Sequence, residues 1–82
     1  MEKLFTVEMN NNNESVEIHM NSTGIDTMIE ILQSLKRKNQ TDHEHLMTDE
    51  WGGYHLTSVQ QNKDDNVKLI NHLKIFLWIK DN

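Results

Sequence analysis

The stretch VKLINHLKIFLWI, residues 67–79, decides the fold. Its odd positions are aliphatic apart from Asn71, and its even positions include Phe76 and Trp78 near the end. Apolar side chains on both parities indicate a strand that is covered on both faces. A helix is the alternative, because periodicity alone does not classify short apolar runs. The content of Ile, Phe and Trp favours a strand.

Two further alternating segments lie near the N-terminus. Residues 3–9 and 15–20 each alternate with a period of two, which indicates half-buried strands. The asparagine run 10–13 and Glu14 lie between them. Because asparagine tolerates positive φ, this run predicts a turn, and the two strands then form a hairpin.

A helix is predicted after the hairpin. Asn21, Ser22 and Thr23 offer N-caps, and the basic residues 36–38 suit the C-terminal end of the helix dipole. Between them, apolar side chains recur at helical spacing. These are Ile25, Met28, Ile29, Leu32 and Leu35.

The remaining elements are shorter. Residues 43–47 and 54–59 are predicted strands, and residues 60–66 form a polar connection. Gly52 and Gly53 mark a tight turn, in which both are expected to occupy backbone conformations closed to other residues.

Together the elements predict one α+β domain over residues 1–82. We expect two layers, with an antiparallel sheet of four to five strands and one helix packed on one face, in a ββαββ-like order. The predicted core comprises Phe5, Val7, Val16, Ile18, Met28, Ile29, Leu32, Leu73, Ile75 and Leu77.

Composition excludes several classes of function. The 82 residues include no cysteine, which excludes disulfides, thiol nucleophiles and Cys-ligated zinc. The longest apolar stretch, residues 73–79, is too short to cross a bilayer, and the N-terminus lacks the pattern of a signal peptide. We therefore expect a cytoplasmic protein that does not bind membranes. The formal net charge of -5 argues against nucleic acid and favours a basic partner.

The tripeptide His43-Glu44-His45 is the first candidate for chemistry. On a strand, the two imidazoles lie on one face about 6.6 Å apart along the chain, a spacing that allows both to bind one metal ion. A third ligand would come from His55, His72, Asp42 or Glu44. The alternative is a pair of histidines whose hydrogen bonds order the loop. We predict no metal and no cofactor.

Carboxylates close to histidines are also the raw material of proton transfer. However, no serine lies in a nucleophile motif, and no phosphate loop or dinucleotide fingerprint is present. We therefore expect no enzymatic activity and assign no catalytic residue. A small metal-binding or proton-transfer enzyme that uses His43, His45 and His72 remains the alternative.

A protein-binding surface is the third candidate. Residues 39–62 contain no Lys or Arg but hold four acidic residues, three histidines and two large aromatic residues. Aromatic side chains anchor interfaces, and charge steers association. The predicted partner-binding residues are Asp42, His43, Glu44, His45, Asp49, Glu50, Trp51 and Tyr54. Pairing of an exposed strand edge with another chain, as in a homodimer or an adaptor, is a further alternative.

The combined pattern is HEHLMT at 43–48, WGG at 51–53, LT at 56–57 and LINHLKIFLW at 69–78. It resembles the thirty-second family of polymorphic-toxin immunity proteins, most closely over residues 43–57 and 69–78. The family's motif positions are matched here by His43, His45, Leu46, Met47, Thr48, Trp51, Gly52, Gly53, Leu56, His72, Lys74 and Trp78. Family members often carry a further histidine where this chain has Asn71.

The resemblance implies a small cytoplasmic α+β protein that protects its producer by binding a cognate toxin. We expect stoichiometric occlusion, in which the acidic and aromatic loop 42–54 covers a basic active site on the toxin.

Overall fold

The computed structural model describes residues 2–80, and these form an α+β fold, as predicted. The elements in chain order are β1 (Phe5–Asn10), β2 (Ser15–Met20), α1 (Ser22–Arg37), β3 (Asp42–Met47), a 3₁₀ turn (Asp49–Trp51), β4 (Val67–Ile70) and β5 (His72–Leu77). All strand pairs are antiparallel. Within residues 2–80, no helix has the length and apolar character needed to cross a membrane.

The stretch 67–79 forms two strands rather than one, because the chain bends at Asn71. Before the bend, β4 completes a three-stranded sheet in the order β2-β1-β4; after it, β5 pairs with β3 in a two-stranded sheet. The bend is held by Thr48, whose amide donates to the Asn71 carbonyl (3.1 Å) and whose hydroxyl donates to Asn71 Oδ1 (2.8 Å). The five strands are therefore divided between two sheets that are joined at this residue.

The hydrophobic core lies where the two sheets and the helix meet. Its centre is formed by the buried side chains of Phe5, Val7, Leu46 and Leu56. Partly buried side chains pack around this centre, namely Met20, Met28, Ile31, Ile70, Leu73 and Ile75. The predicted core residues Phe5, Val7, Met28, Leu73 and Ile75 are confirmed.

Four predicted core residues are exposed instead: Val16 (58%), Ile18 (41%), Ile29 (46%) and Leu32 (42%). The cause is the anchoring of the helix. Asn21 caps the helix by accepting from the Gly24 amide (2.9 Å), and it also binds the backbone of Leu4. A side chain at Gly24 would overlap the Leu4 carbonyl oxygen, so the glycine lets the helix approach this closely.

This anchor turns one stripe of the helix towards the core and leaves the neighbouring stripe in solvent. The inward stripe holds Gly24, Met28, Ile31 and Leu35. The helix covers the end of the sheet where Phe5 pairs with Met20, and the opposite end, where Met9 pairs with Val16, remains open. Burial of Val16 and Ile18 was predicted from their alternation alone, which does not reveal how far the covering helix extends.

Two connections also differ from the prediction. Residues 54–59 form no strand; only Leu56 makes a bridge, to Thr48, and the segment is held at Thr57, which exchanges hydrogen bonds with the backbone of Phe5 (2.8 and 2.9 Å). The hairpin turn is present over residues 11–14, but the residue with positive φ is Glu14 rather than an asparagine.

The second face of β1 buries a carboxylate. Glu8 is fully buried and accepts hydrogen bonds from the Thr6 hydroxyl (2.6 Å) and from the amides of Gln61 and Asn62 (both 2.9 Å). Burial by itself would raise the pKa of Glu8, but these three donors and the nearby His19 outweigh it, and the pKa lies below the usual value. The ionised Glu8 therefore clamps the 57–66 connection onto the sheet.

Replacement of Glu8 by glutamine should destabilise the protein at pH 7 by about 1.5–3 kcal/mol, because hydrogen bonds to a charged acceptor are weakened or lost. The pKa of Glu8 is lowered on folding, so its stabilisation is present above the unfolded value near 4.5. It is lost as the pH falls below that value and through the folded pKa. Urea unfolding at pH 7 and pH 3 should therefore show a difference between wild type and Glu8→Gln that shrinks at pH 3.

Glu30→Gln, a change at an exposed helix position, is the matched control and should have little effect at either pH. An equal loss of stability at both pH values would show that the charge of Glu8 contributes nothing.

Candidate functional site

Successive side chains of the two-stranded β3–β5 sheet point to opposite faces. The pairs Glu44–Ile75 and Leu46–Leu73 lie on its inner face, where Leu46, Leu73 and Ile75 join the core. The pair His43–Phe76 lies on the opposite, outer face. Because residues directly opposite one another on paired strands point the same way, the outer face also carries His45, Lys74, Met47 and His72.

Six rings form a continuous line across this outer face. The line, which we call the histidine–aromatic row, comprises in spatial order Trp51, His72, His45, His43, Phe76 and Trp78. Successive ring centroids are 6.3, 5.0, 4.7, 5.1 and 6.2 Å apart. Three of the contacts are stacked, and the contact between His43 and His45 is edge-on. Trp51 (58%), Phe76 (50%) and Trp78 (62%) are strongly exposed.

The three histidines are also linked by hydrogen bonds. Nε2 of His45 lies 3.0 Å from Nε2 of His43, and Nδ1 of His45 lies 2.8 Å from Nε2 of His72. Each link requires one ring to donate and the other to accept, so the two contacts couple the tautomers of all three rings. His45 is the central member because both of its nitrogens are engaged.

The surroundings of His45 favour its neutral form. Desolvation lowers the pKa of His45 most, followed by repulsion from His43, His72 and Lys74, and only Glu44 acts in the opposite direction. At neutral pH the row therefore presents an uncharged imidazole at its centre, which can donate one hydrogen bond and accept one.

The WGG turn places Trp51 at one end of the row. The Thr48 carbonyl accepts from the amides of Trp51 and Gly53 (both 3.0 Å), and the Gly52 amide donates to Asp49 (2.9 Å). Gly52 has a φ of 88°, a left-handed conformation that favours glycine. The predicted positive φ is thus confirmed at Gly52. It is wrong for Gly53, where a Cβ atom would instead overlap the backbone of Met47.

The structure divides the eight residues predicted to bind a partner. His43, His45 and Trp51 lie in the row, and Asp49 and Glu50 are exposed in the 3₁₀ turn that contains Trp51. The other three lie elsewhere: Asp42, Glu44 and Tyr54.

Asp42 and Glu44 occupy the inner face of β3, and both bind Lys38 (3.2 and 2.7 Å). The bonds from Glu44 and then Asp42 raise the pKa of Lys38. The pKa of Asp42 is lowered by the His43 amide and then by Lys38. Lys38 therefore offsets one of the two negative charges of this pair within the chain. Tyr54 is exposed but lies against His55, with ring centroids 4.2 Å apart, outside the row.

The surface positions of Phe76 and Trp78 are not among the predictions from the sequence, which considers His72 only as a metal ligand or catalytic residue. Their signal was present, because these residues share even parity in the stretch 67–79. That stretch was interpreted as covered on both faces, whereas its second half forms a strand with one exposed face.

Among residues 2–80, the side chains that could hold a metal fall into two groups. Carboxylate and imidazole atoms of Glu8, Glu17 and His19 lie within 4.8 Å of one another. These atoms already bind one another and the 57–66 connection, since Glu17 accepts from His19 (2.9 Å) and from the Asn62 side chain (3.1 and 3.2 Å). This first group therefore serves as a clamp within the fold.

The second group is the Nε2 pair of His43 and His45 in the row. Of the further ligands considered, Asp42 and Glu44 lie on the inner face of the sheet. His55 lies with Lys3, Glu44 and Tyr54 around a cavity of about 470 Å³. Burial, and then Lys3, lower the pKa of His55.

Comparison with models of known protein families, with curated proteins and with solved structures returned no significant match to this chain. The resemblance to immunity proteins therefore stays a prediction.

The two turn glycines should respond differently to substitution. Gly53→Ala should lower the free energy of unfolding by about 2 kcal/mol or more, because the new methyl group meets backbone that cannot move aside. Gly52→Ala should cost about 1 kcal/mol, since its φ is unfavourable but the space around it is open. Urea unfolding of both variants measures the difference, and a larger cost at Gly52 would contradict this account of the turn.

Proposed function

We propose that this chain is an immunity protein that binds and neutralises a cognate toxin by stoichiometric occlusion, with the histidine–aromatic row as its contact surface. The observation that carries the proposal is the continuous line of six rings on the outer face of the β3–β5 sheet, five of which belong to exposed residues. The proposed role is binding without catalysis, in the cytoplasm.

The row has the properties of a protein-binding surface. Tryptophan and other aromatic residues are enriched among the side chains that dominate binding energy. Its rings already contact one another in the free protein, so a partner has little side-chain freedom to remove on binding. Stacking of Phe76 between His43 and Trp78 provides a rigid apolar anchor at one end.

The negative charge of the surface supports a basic partner. This charge is concentrated on fewer residues than the predicted binding loop 42–54 contains. Asp49 and Glu50 are exposed in the turn that ends at Trp51, and neither forms an ion pair within residues 2–80. Asp42 and Glu44 contribute less, because they lie on the other face and Lys38 offsets one of their two negative charges. The net charge of -5 adds a long-range attraction for a basic toxin.

The immunity pattern divides into residues that build the fold and residues that reach the surface. Leu46, Thr48 and Leu56 are buried. His43, His45, Trp51, His72 and Trp78 belong to the row. A protein that resembles the family in both sets can present the same kind of surface, which supports assignment of the toxin-binding role to the row.

The tagged chain should capture one larger protein from a lysate of the source organism at one-to-one stoichiometry. That protein should kill cells when expressed alone and be tolerated when it is co-expressed with this chain. Trp51→Ala or Trp78→Ala should weaken the complex by about 10- to 100-fold, because each removes a large anchor. Tyr54→Ala removes an exposed ring outside the row and is the matched control.

Charge is tested separately with two double variants. Neutralisation of Asp49 and Glu50 should slow association severalfold at low salt, whereas neutralisation of Asp42 and Glu44 should have a smaller effect. A captured protein that is harmless on its own would overturn the immunity role. Equal effects of the Tyr54 and tryptophan variants would overturn the assignment of the surface.

A second candidate function, self-association through a sheet edge, is favoured by the exposed strand β2. This strand is an edge of the three-stranded sheet, and Val16 and Ile18 are exposed on it. β2 could pair antiparallel with β2 of a second copy, with the two Ile18 residues opposite each other. Glu17 of each copy would then lie opposite His19 of the other. No other antiparallel register of the two β2 strands places these two residues opposite one another.

Sedimentation of the purified chain should then show a dimer. Ile18→Lys should raise the dimer dissociation constant at least 100-fold, since it places two lysines face to face at the symmetry axis. Ile29→Lys, at an equally exposed apolar position on the helix, should leave it unchanged. A wild-type monomer at millimolar concentration would exclude this candidate.

A further inference from the structure

We propose that His43 and His45 form a surface chelate for a divalent late transition-metal ion of the class Zn²⁺, Ni²⁺ or Cu²⁺. The proposal goes beyond the neutralising function and does not depend on it, because the site belongs to this chain alone. It rests on the placement of two imidazole nitrogens, His43 Nε2 and His45 Nε2, 3.0 Å apart on an exposed sheet face.

The distance between the two nitrogens suits a shared ion. With metal–nitrogen bonds of 2.0–2.1 Å, two ligands in neighbouring octahedral positions are about 3.0 Å apart, and two tetrahedral ligands about 3.4 Å. The observed 3.0 Å matches the first arrangement, and a small opening of the rings reaches the second. The centroids lie only 4.7 Å apart, closer than they would be if the two nitrogens pointed straight at each other. The nitrogen axes of the two rings are therefore not collinear.

Each of the two rings is fixed by a neighbouring ring of the row. His45 Nδ1 lies 2.8 Å from His72 Nε2, so a metal on Nε2 leaves the proton on Nδ1, where it is donated to His72. Metal-bound histidines usually donate their other ring N–H to an acceptor, and here the His72 nitrogen takes that place and fixes both the tautomer and the orientation of His45. His43 is fixed by its stacking on Phe76, at a centroid distance of 5.1 Å.

The ligand type selects the ion. Two neutral imidazoles suit Cu²⁺, Ni²⁺ and Zn²⁺, whereas Mg²⁺ and Ca²⁺ require oxygen ligands. The nearest carboxylates in sequence, Asp42 and Glu44, lie on the opposite face of β3 and bind Lys38. Two protein ligands leave the other coordination positions facing solvent, on the surface that carries the row.

The test uses the purified full chain without a histidine tag, after treatment with a chelator. Isothermal titration with NiCl₂ and with ZnCl₂ should show one ion per chain, and CuCl₂ should quench the fluorescence of the nearby Trp51. His43→Ala and His45→Ala should each weaken binding at least tenfold. His72→Phe, which keeps a ring but removes the acceptor, should weaken it by about tenfold. His55→Ala, a histidine outside the row, should bind as the wild type does.

Circular dichroism of each variant confirms that the fold is retained. The proposal is overturned if the wild type binds no more tightly than the His43→Ala/His45→Ala double variant. It is also overturned if His19→Ala, in the cluster with Glu8 and Glu17, abolishes binding instead. Since no toxin takes part in these measurements, their failure leaves the neutralising function standing, and failure of the toxin capture leaves the metal site standing.

Discussion

Thr48 makes the contacts on which the rest of the candidate site depends. Its side chain is fully buried, its amide and hydroxyl both bind Asn71, and its carbonyl receives the amides of Trp51 and Gly53. The first pair of bonds sets the point at which the last strand leaves one sheet for the other. The second pair shapes the turn that carries Trp51. One residue thereby positions both Trp51 and His72, the first two rings of the row, because His72 follows Asn71 directly.

A second constraint is the burial of β1 on both faces. Phe5 and Val7 pack into the apolar core, whereas Thr6 and Glu8 are buried on the other face beneath the 57–66 connection. A buried carboxylate is costly unless it is bonded, and here its bonds fasten a segment that lacks regular structure. This small domain has few apolar residues to bury, so the polar cluster around Glu8 orders its longest connection, residues 57–66.

The outer face of the β3–β5 sheet combines two properties that are usually separate. Exposed aromatic rings suit contact with a protein, and neighbouring imidazole nitrogens suit contact with a metal ion. Both follow from one arrangement, in which alternate residues of two paired strands face solvent together. Contact with a partner and occupation by an ion would involve the same histidines. A metal ion at His43 and His45 would also add positive charge to a surface whose steering charge, at Asp49 and Glu50, is negative.

The sequence by itself determined the hairpin, the helix, a strand over 43–47 and the α+β class, because each depends on a pattern within a short window. It also placed His43 and His45 on one face, since residues two apart on a strand always share a face. The bend at Asn71 is different, because its partner Thr48 lies 23 residues away in the chain. The same holds for Val16 and Ile29, whose exposure depends on where the helix is anchored. Only the tertiary structure decided that His72, Phe76 and Trp78 complete the row, because strand register joins side chains that no local pattern relates.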